Sequence, residues 1–502
     1  MTTALPPLHR TEVDGVPVLW REAPGPLTAG LVLGVGRRDE DFVTGGVTHL
    51  LEHLVMHEAR SPRLECNASV GTSSTELTVT GRPERVVAFL EQACRLLAHP
   101  PLQRRDVEAR VLAAEEREEG ADLVGALLVE RFGYRGPGLT GAVEPALTAV
   151  GPDVIAAWAA RWAVTGNAVC WLSGPPPDGL ALPLRPGRRP EASRDLPRQV
   201  PLPGWTCLPG PVLGLGALAP AGPAAGVVLH VLRDRLEEEL RHHRGLTYGV
   251  ESGLERLTAD VRHAVVTTQV REGAEVEAFG VLRDVLASLA ADGVSEEELA
   301  GEVESAEESL TDARSTTDEL SALAEAAVLG WPAETSEELL ASVRRLRRED
   351  VRDAAREVER SALVVVPEDV ELEAPGLPRL PDGSAHAVEG RAFRPRLLRG
   401  APRGARLVVG DRGVSLDLGD GNRSAVLWED VVGLVESRDE DADFSHHLVG
   451  ADGLSIPLQA RDWRGGDEAL RAVRAAVPAS LQVRGDLEGE PGRGAGDHGR
   501  GA

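Results

Sequence analysis

The chain contains no lysine, and all 54 of its cationic side chains are arginine. Beside abundant alanine, glycine and proline, that absence reads as the coding bias of a GC-rich genome rather than as a functional signal. Cysteine is scarce too. Cys66, Cys94, Cys170 and Cys207 are scattered, form no Cys-x-x-Cys pair and sit in apolar settings, so core thiols are expected in place of disulfides, thiolate ligands or nucleophiles. No apolar run approaches the ~18 residues of a membrane span, so no transmembrane segment is expected. Leu5-Pro6-Pro7-Leu8-His9-Arg10 is broken by prolines and charge, which argues against a signal peptide and for a cytoplasmic location. Excess positive charge is missing as well: the net charge of -26 disfavours a nucleic-acid partner, which would need a basic stripe. The acidic balance suits basic peptides, but solubility is the simpler reading.

What the chain does contain is Gly45-Gly46-Val47-Thr48-His49-Leu50-Leu51-Glu52-His53-Leu54-Val55, an apolar run with two histidines and a glutamate set into it. On a 3.6-residue period His49, Glu52 and His53 project from one face, while Leu50, Leu51, Leu54 and Val55 fill the others, as in a helix packed within a core. Three polar groups on a buried stripe need a partner. Two neutral imidazoles can supply half of a tetrahedral zinc site, and the carboxylate between them can take a proton from water at the metal. The order His-x-x-Glu-His is the inverzincin signature. A pair of hydrogen-bonded core histidines is the competing explanation.

The flanks weigh on that choice. Val35-Gly36-Arg37-Arg38-Asp39-Glu40 precedes the run and Leu64-Glu65-Cys66-Asn67-Ala68 follows it. Together the three segments resemble the insulinase/pitrilysin family of zinc metallopeptidases, in its mitochondrial-processing-peptidase-like branch. The resemblance implies zinc ligands at His49 and His53, a general base at Glu52, and an edge strand carrying Asn67 to which a substrate peptide adds. It also implies a third ligand on a later helix, two turns after another acidic residue. Counting back from Gly136-Pro137-Gly138-Leu139 puts that ligand at Asp122, with Glu115 as the earlier acidic residue; Glu118 and Glu119 are alternatives, and a solvated acidic helix face is the plainer account. A helix that the family carries after the histidine helix is missing here, where Arg60-Ser61-Pro62-Arg63 leads directly to a strand.

The expected fold class is α+β: two homologous peptidase-like modules, each an antiparallel-rich mixed sheet covered by helices on one side, then a small all-β barrel capped by a helix. The boundaries read as a zinc-peptidase module at 1–175, a Pro/Gly/Arg-rich linker at 176–210, a second module without the metal motif at 211–370, a linker at 371–395, a pleckstrin-homology-like barrel at 396–484 and a disordered tail at 485–502. One continuous helix is expected from about Arg104 to Phe132, and another from Ser295 to Leu329. In the second module, Leu240-Arg241-His242-His243-Arg244-Gly245-Leu246-Thr247-Tyr248 resembles the family's substrate-binding element, which implies that Arg241 and Tyr248 contact substrate near the scissile bond. Both are suitable donors to a peptide carbonyl or its oxyanion.

Zn2+ is the implied cofactor and zinc-dependent endopeptidase the implied activity, on peptides or small unfolded polypeptides in a closed chamber. Because the family sets the metal half of one subunit against the Arg/Tyr half of another, a homodimer or a heterodimer with a paralogue is expected. The alternative is a catalytically inactive homologue that binds peptides or serves as scaffold beside an active partner.

Overall fold

The structure is a computed structural model describing residues 6–61, 64–119, 123–192, 194–197, 199–210, 212–309, 315–368, 370–381, 383–384, 386–396, 402, 404–419, 423–438 and 444–485. The chain opens with β1 (His9–Val13), β2 (Val16–Trp20) and β3 (Leu27–Leu33), then the histidine helix α1 (Val47–Ala59), the hairpin β4 (Glu65–Val70) and β5 (Thr75–Gly81), and α2 (Pro83–Ala98). Helices α3 (Arg105–Glu119), α4 (Leu123–Phe132) and α5 (Pro152–Trp162) follow, then β6 (Val164–Gly166) and β7 (Ala168–Leu172). The first sheet has the order β1-β2-β7-β3-β5-β4, with only β2 and β7 parallel. Local sequence accounts for these elements. Helix α2 starts at a proline in its first turn and turns Val86, Phe89, Leu90, Ala93, Cys94 and Leu97 inward at spacings of three and four. Strand β3 lies between two neighbours and is apolar along nearly its whole length, as a strand covered on both faces must be.

After the short β8 (Arg185–Arg188) the pattern repeats: β9 (Gly204–Leu208), β10 (Val212–Pro220), α6 (Pro223–Glu237), β11 (Glu251–Arg256), β12 (Val261–Gln269), α7 (Glu275–Asp292), α8 (Glu296–Ser309), α9 (Ser315–Leu329), α10 (Ser336–Val343), α11 (Arg348–Arg360) and β13 (Leu363–Pro367). Its sheet has the order β11-β12-β10-β13-β9, again with one parallel pair, β13 and β9. Strand for strand this matches β4-β5-β3-β7-β2. Strand β9 lies within the stretch read from sequence as linker, where five residues between Pro203 and Pro209 give no sustained pattern.

Each sheet is covered on one face by its own helices, and on the other by a helix from the opposite module. Val32, Val169 and Trp171 of the first sheet pack against Leu320, Leu323, Ala324 and Leu329 of α9. Val265, Leu363 and Val365 of the second pack against Ala126 and Leu127 of α4. Within the two long helices expected from sequence, the described parts are α3 and α4 in one and α8 and α9 in the other, and the two parts of each pack in different places. In both cases the first half stays with its own module and the second half crosses. An apolar, 3.6-period run does not report which sheet each half faces.

The crossing of α4 is pinned by a charge. Arg131, fully buried, donates to the carbonyls of Gly216 and Ser361 at 2.7 Å each and to Gln199 Oε1 at 3.0 Å. Burial pushes this guanidinium down to about 9. Residues Glu319 and Glu76 play the corresponding part for α9: Glu319 accepts from Arg21 at 3.2 Å, and Glu76 accepts from Trp171 and from Ser321 of α9.

The C-terminal region contains β14 (Arg391–Phe393), β15 (Arg406–Gly410), β16 (Gly413–Asp417), β17 (Arg423–Leu427), β18 (Val431–Arg438), β19 (Phe444–Gly450), β20 (Ser455–Pro457), the helix α12 (Gly466–Ala476) and β21 (Gln482–Arg484). A closed barrel was expected, but the strands form two four-stranded sheets, β14-β15-β16-β17 and β20-β19-β18-β21, and among the described residues no ladder joins them. They share one core, including Leu407, Val414, Leu434, Leu448, Trp463 and Val473 of α12. Strand count and alternation are the same for a barrel and for two packed sheets, so the pattern did not separate them. No helix among the described residues is long and apolar enough to cross a membrane.

Replacing Arg131 by alanine strands two buried carbonyls at the module interface. A loss of about 3 kcal/mol is expected in urea denaturation, and a loss below about 1 kcal/mol would show that the interface does not depend on this anchor.

Candidate metal centre

Helix α1 begins at Gly46, whose φ of +82° belongs to the left-handed region, and a Cβ there would collide with the carboxylate of Glu144. Glu40, buried just upstream, accepts from the backbone N–H of Gly46 and of Thr48 at 2.8 Å each. A carboxylate so placed satisfies two of the free N–H groups of the helix start and complements its dipole. Burial raises the pKa of Glu40, while the Arg37 guanidinium and these hydrogen bonds oppose the rise. Trp158 of α5 adds a further tie, donating from Nε1 to Thr48 Oγ1 at 3.1 Å.

From this fixed start His49, Glu52 and His53 emerge on one face, as the spacing predicts. The rings of His49 and His53 meet edge to face with centroids 4.9 Å apart. Glu52 Oε2 lies 3.7 Å from His49 Nε2 and 3.8 Å from His53 Nε2. Helix α3 closes the site from the side, with Glu115 Oε2 3.4 Å from His53 Nε2. One ligand atom each from His49, His53 and Glu115 lie within 4.8 Å of one another. Two imidazole nitrogens and a carboxylate oxygen at such separations form a three-protein-ligand set that suits zinc.

Two turns before Glu115, the buried Glu108 faces the other nitrogen of His53, Oε2 to Nδ1 at 3.7 Å. Glu108 is itself held by Arg104 Nε at 3.2 Å and lies 3.6 Å from His57 Nδ1. A carboxylate behind a ligand histidine orients its ring and fixes its tautomer. Among the described residues, the acidic pair at a spacing of seven beside the histidines is Glu108 and Glu115. The reading from sequence places the pair at Glu115 and Asp122, one heptad later, and gives no role to Glu108 or His57. The signal was present: Arg104 and Glu108 are four apart, and His57 continues the 49, 53 series. Asp122 lies outside the described residues, as do the side chains of Glu118 and Glu119.

Electrostatics separate the roles. Burial pushes His49 down to about 3, with Arg37 and His53 contributing in the same direction, so this imidazole is neutral and free to ligate across the physiological range. Burial pushes Glu52 up to about 7, assisted by the Glu115 carboxylate and opposed by Arg60. A carboxylate with that value is poised to exchange protons near neutral pH.

The other candidates lie elsewhere. Asn67 is exposed on β4, the outer strand of the first sheet. Arg241 lies in a single π-helical turn, Glu238–His243, that continues α6; it pairs with Glu237 at 2.7 Å, and its guanidinium sits 5.3 Å above the ring of Tyr248. The Tyr248 side chain is unusually open for an aromatic residue, with the residue 90% exposed. The structure brings Arg241 and Tyr248 together as a pair on the second module, and brings Glu115 to the histidines.

No family model matches the sequence, and no curated protein is similar to it. Solved structures do match. A protease from Helicobacter pylori superposes with a TM-score of 0.60 at 15% identity, covering 72% of this chain and all of its own. The first half of the periplasmic protease PqqL from Escherichia coli gives 0.56 at 16%, covering 72% of this chain and 93% of that one. A peptidase M16 inactive domain from Pseudomonas fluorescens gives 0.55 at 16%, covering 74% and 99%. The fold is that of the M16 peptidases. At these identities the likeness extends to the fold alone, and an inactive domain among the M16 neighbours means that activity has to be argued from the site.

In metal-stripped protein the folded state holds a proton on Glu52 between about pH 4.5 and 7 that the unfolded chain has released. Glu52 therefore lowers stability as pH rises through that window. Replacing it by glutamine removes the effect. Denaturation at pH 5 and pH 8 is expected to show the Glu52→Gln variant gaining about 2 kcal/mol on wild type at the higher pH, and an unchanged gap would mean that Glu52 is solvated.

Proposed function

We propose that the protein is a zinc-dependent endopeptidase acting on peptides or small unfolded polypeptides. The observation that carries this reading is the convergence of His49, His53 and Glu115 beside Glu52, a carboxylate tuned by burial to about 7. His49 and His53 would hold the metal through nitrogen and Glu115 through oxygen. In this assignment Glu115 takes the place that the resemblance gave to Asp122, and Glu108 the outer acidic place that it gave to Glu115. Zinc in the site would supply Lewis acidity, polarising a peptide carbonyl and easing the deprotonation of water. Glu52 accepts that proton and returns it to the leaving amine. Glu108 keeps His53 in the orientation that ligation needs.

An extended peptide would add to the free edge of β4 beside Asn67, taking backbone hydrogen bonds from the strand. Arg241 and Tyr248 would donate to the substrate carbonyl and the developing negative charge, reaching the site from the second module of another subunit in a homodimer or in a pair with a paralogue. The openness of Tyr248 supports that arrangement. We assign the C-terminal pair of sheets, with its closing helix, to a pleckstrin-homology-like domain in a structural role, and the protein to the cytoplasm. A second reading, an inactive homologue that binds peptides, is favoured by the inactive domain among the structural neighbours.

Zinc content of metal-replete protein, measured by atomic emission, separates these readings. About one zinc per chain is expected, lost in Glu115→Ala and kept in Asp122→Ala and Glu52→Gln, with peptide hydrolysis falling by about 10²-fold or more in Glu52→Gln. Zinc lost in Asp122→Ala but kept in Glu115→Ala would return the ligand to Asp122. Absence of zinc in wild type would leave the peptide-binding reading.

A further inference from the structure

The second of the two C-terminal sheets, β20-β19-β18-β21, packs on the first module at the segments that lead into and flank the start of α1. Phe42 and Val43, three and two residues before Gly45, are buried in one cluster with Val435 and Val449 of the C-terminal sheet and with Val129, Tyr134 and Leu139 of the first module. The Phe42 ring stacks on Tyr134 with centroids 4.7 Å apart. Strand β18 crosses directly over this pair. A Cβ at Gly433 would stand 3.0 Å from the Phe42 ring and 3.4 Å from Val43, so the strand approaches as closely as it does only because that position has no side chain. Nearby, Tyr134 donates its backbone N–H to the carbonyl of Ala451 at 3.0 Å, and Arg135 pairs with Asp430 at 2.6 Å.

A second line of contact reaches the same place. Gly485, just past β21, lies against the backbone of Pro145 so closely that a Cβ would collide with its carbonyl. The neighbouring Glu144 carboxylate packs on Gly46 and pairs with Arg37, the guanidinium that helps to hold His49 neutral. Two separate contacts of the C-terminal region, at Phe42 and at Pro145, thus lead to the start of the helix that carries His49 and His53: the first along the chain to Gly45 and Gly46, the second through the neighbouring Glu144 to Gly46.

We propose that the C-terminal sheet is a clamp on the metal centre: by pressing on Phe42 and Pro145 it fixes the start of α1 and so the spacing of the two histidines from Glu115. Phe42, Val43 and Gly433 are then positioning residues, acting through the helix start and touching neither metal nor substrate. The accessory region is on this view part of the catalytic module. Its metal readout rests on the ligand assignment above, whereas its effect on helix order does not.

The test uses the full chain and the variant Gly433→Val, which wedges β18 away from Phe42, alongside Gly433→Val/Phe42→Ala, which returns the space. Val414→Ala, in the C-terminal core but away from the contact, controls for general weakening. Amide hydrogen exchange across residues 46–53 is expected to quicken about tenfold in Gly433→Val, with β3 and β7 unchanged. Zinc affinity by chelator competition is expected to fall about tenfold, with an altered visible spectrum when cobalt replaces zinc. The double variant recovers both, and Val414→Ala moves neither. Should Gly433→Val fail to fold, Val435→Ala serves as the milder probe. Exchange across 46–53 equal to wild type, or equally quickened by Val414→Ala, overturns the clamp. A wild type that binds no zinc sinks the peptidase reading while the exchange data still decide this one.

Discussion

The structure depends on an exchange of apolar helices between two similar halves. Neither sheet can satisfy both of its faces with its own helices, because α1, α2 and α5 cover one side of the first, and α6, α7 and α11 one side of the second. The open faces are filled by α9 and α4 from across the interface. Apolar burial sets the strength of that arrangement, and a few buried polar anchors set its register. Arg131 fixes α4 by two carbonyls, while Glu319 and Glu76 fix α9. The histidine helix α1 packs within the first module, where α3 brings Glu115 beside His53.

Around the histidines the protein arranges charge by burial more than by pairing. His49 is kept neutral and Glu52 is kept reluctant to ionise because both sit under apolar cover. Glu40 completes the design from the other end of the helix turn, bringing a buried carboxylate to two backbone N–H groups. Stability and poise are here set by the same side chains, so substitutions near Thr48 or Trp158 would shift both.

Much of this was legible in the sequence, for reasons that differ by residue. The spacing of His49, Glu52 and His53 is a helical constraint, and any helix places them together. The two modules were visible because strand alternation and helix period repeat in the same order. The third acidic position was harder. It depends on where α3 ends and how closely it approaches α1, which are tertiary quantities, and the acidic run from Glu115 to Asp122 offered several equivalent carboxylates. Glu108 gave a clearer local sign through Arg104 but stood outside the window counted from Gly136. The packed sheets of the C-terminal region and the docking of β18 on Phe42 depend on contacts hundreds of residues apart, which no local pattern encodes.

The crossed helices also bear on how the chain is made. The first sheet is complete once β7 ends at Leu172, yet among the described residues its second face is covered mainly by α9, which ends at Leu329. A ribosome adding 5–20 residues per second needs on the order of 10–30 s to supply that helix. For that interval Val32, Val169 and Trp171 stand bare on a nascent half-protein. The order of synthesis thus separates the completion of the first sheet from the arrival of the helix that covers its second face.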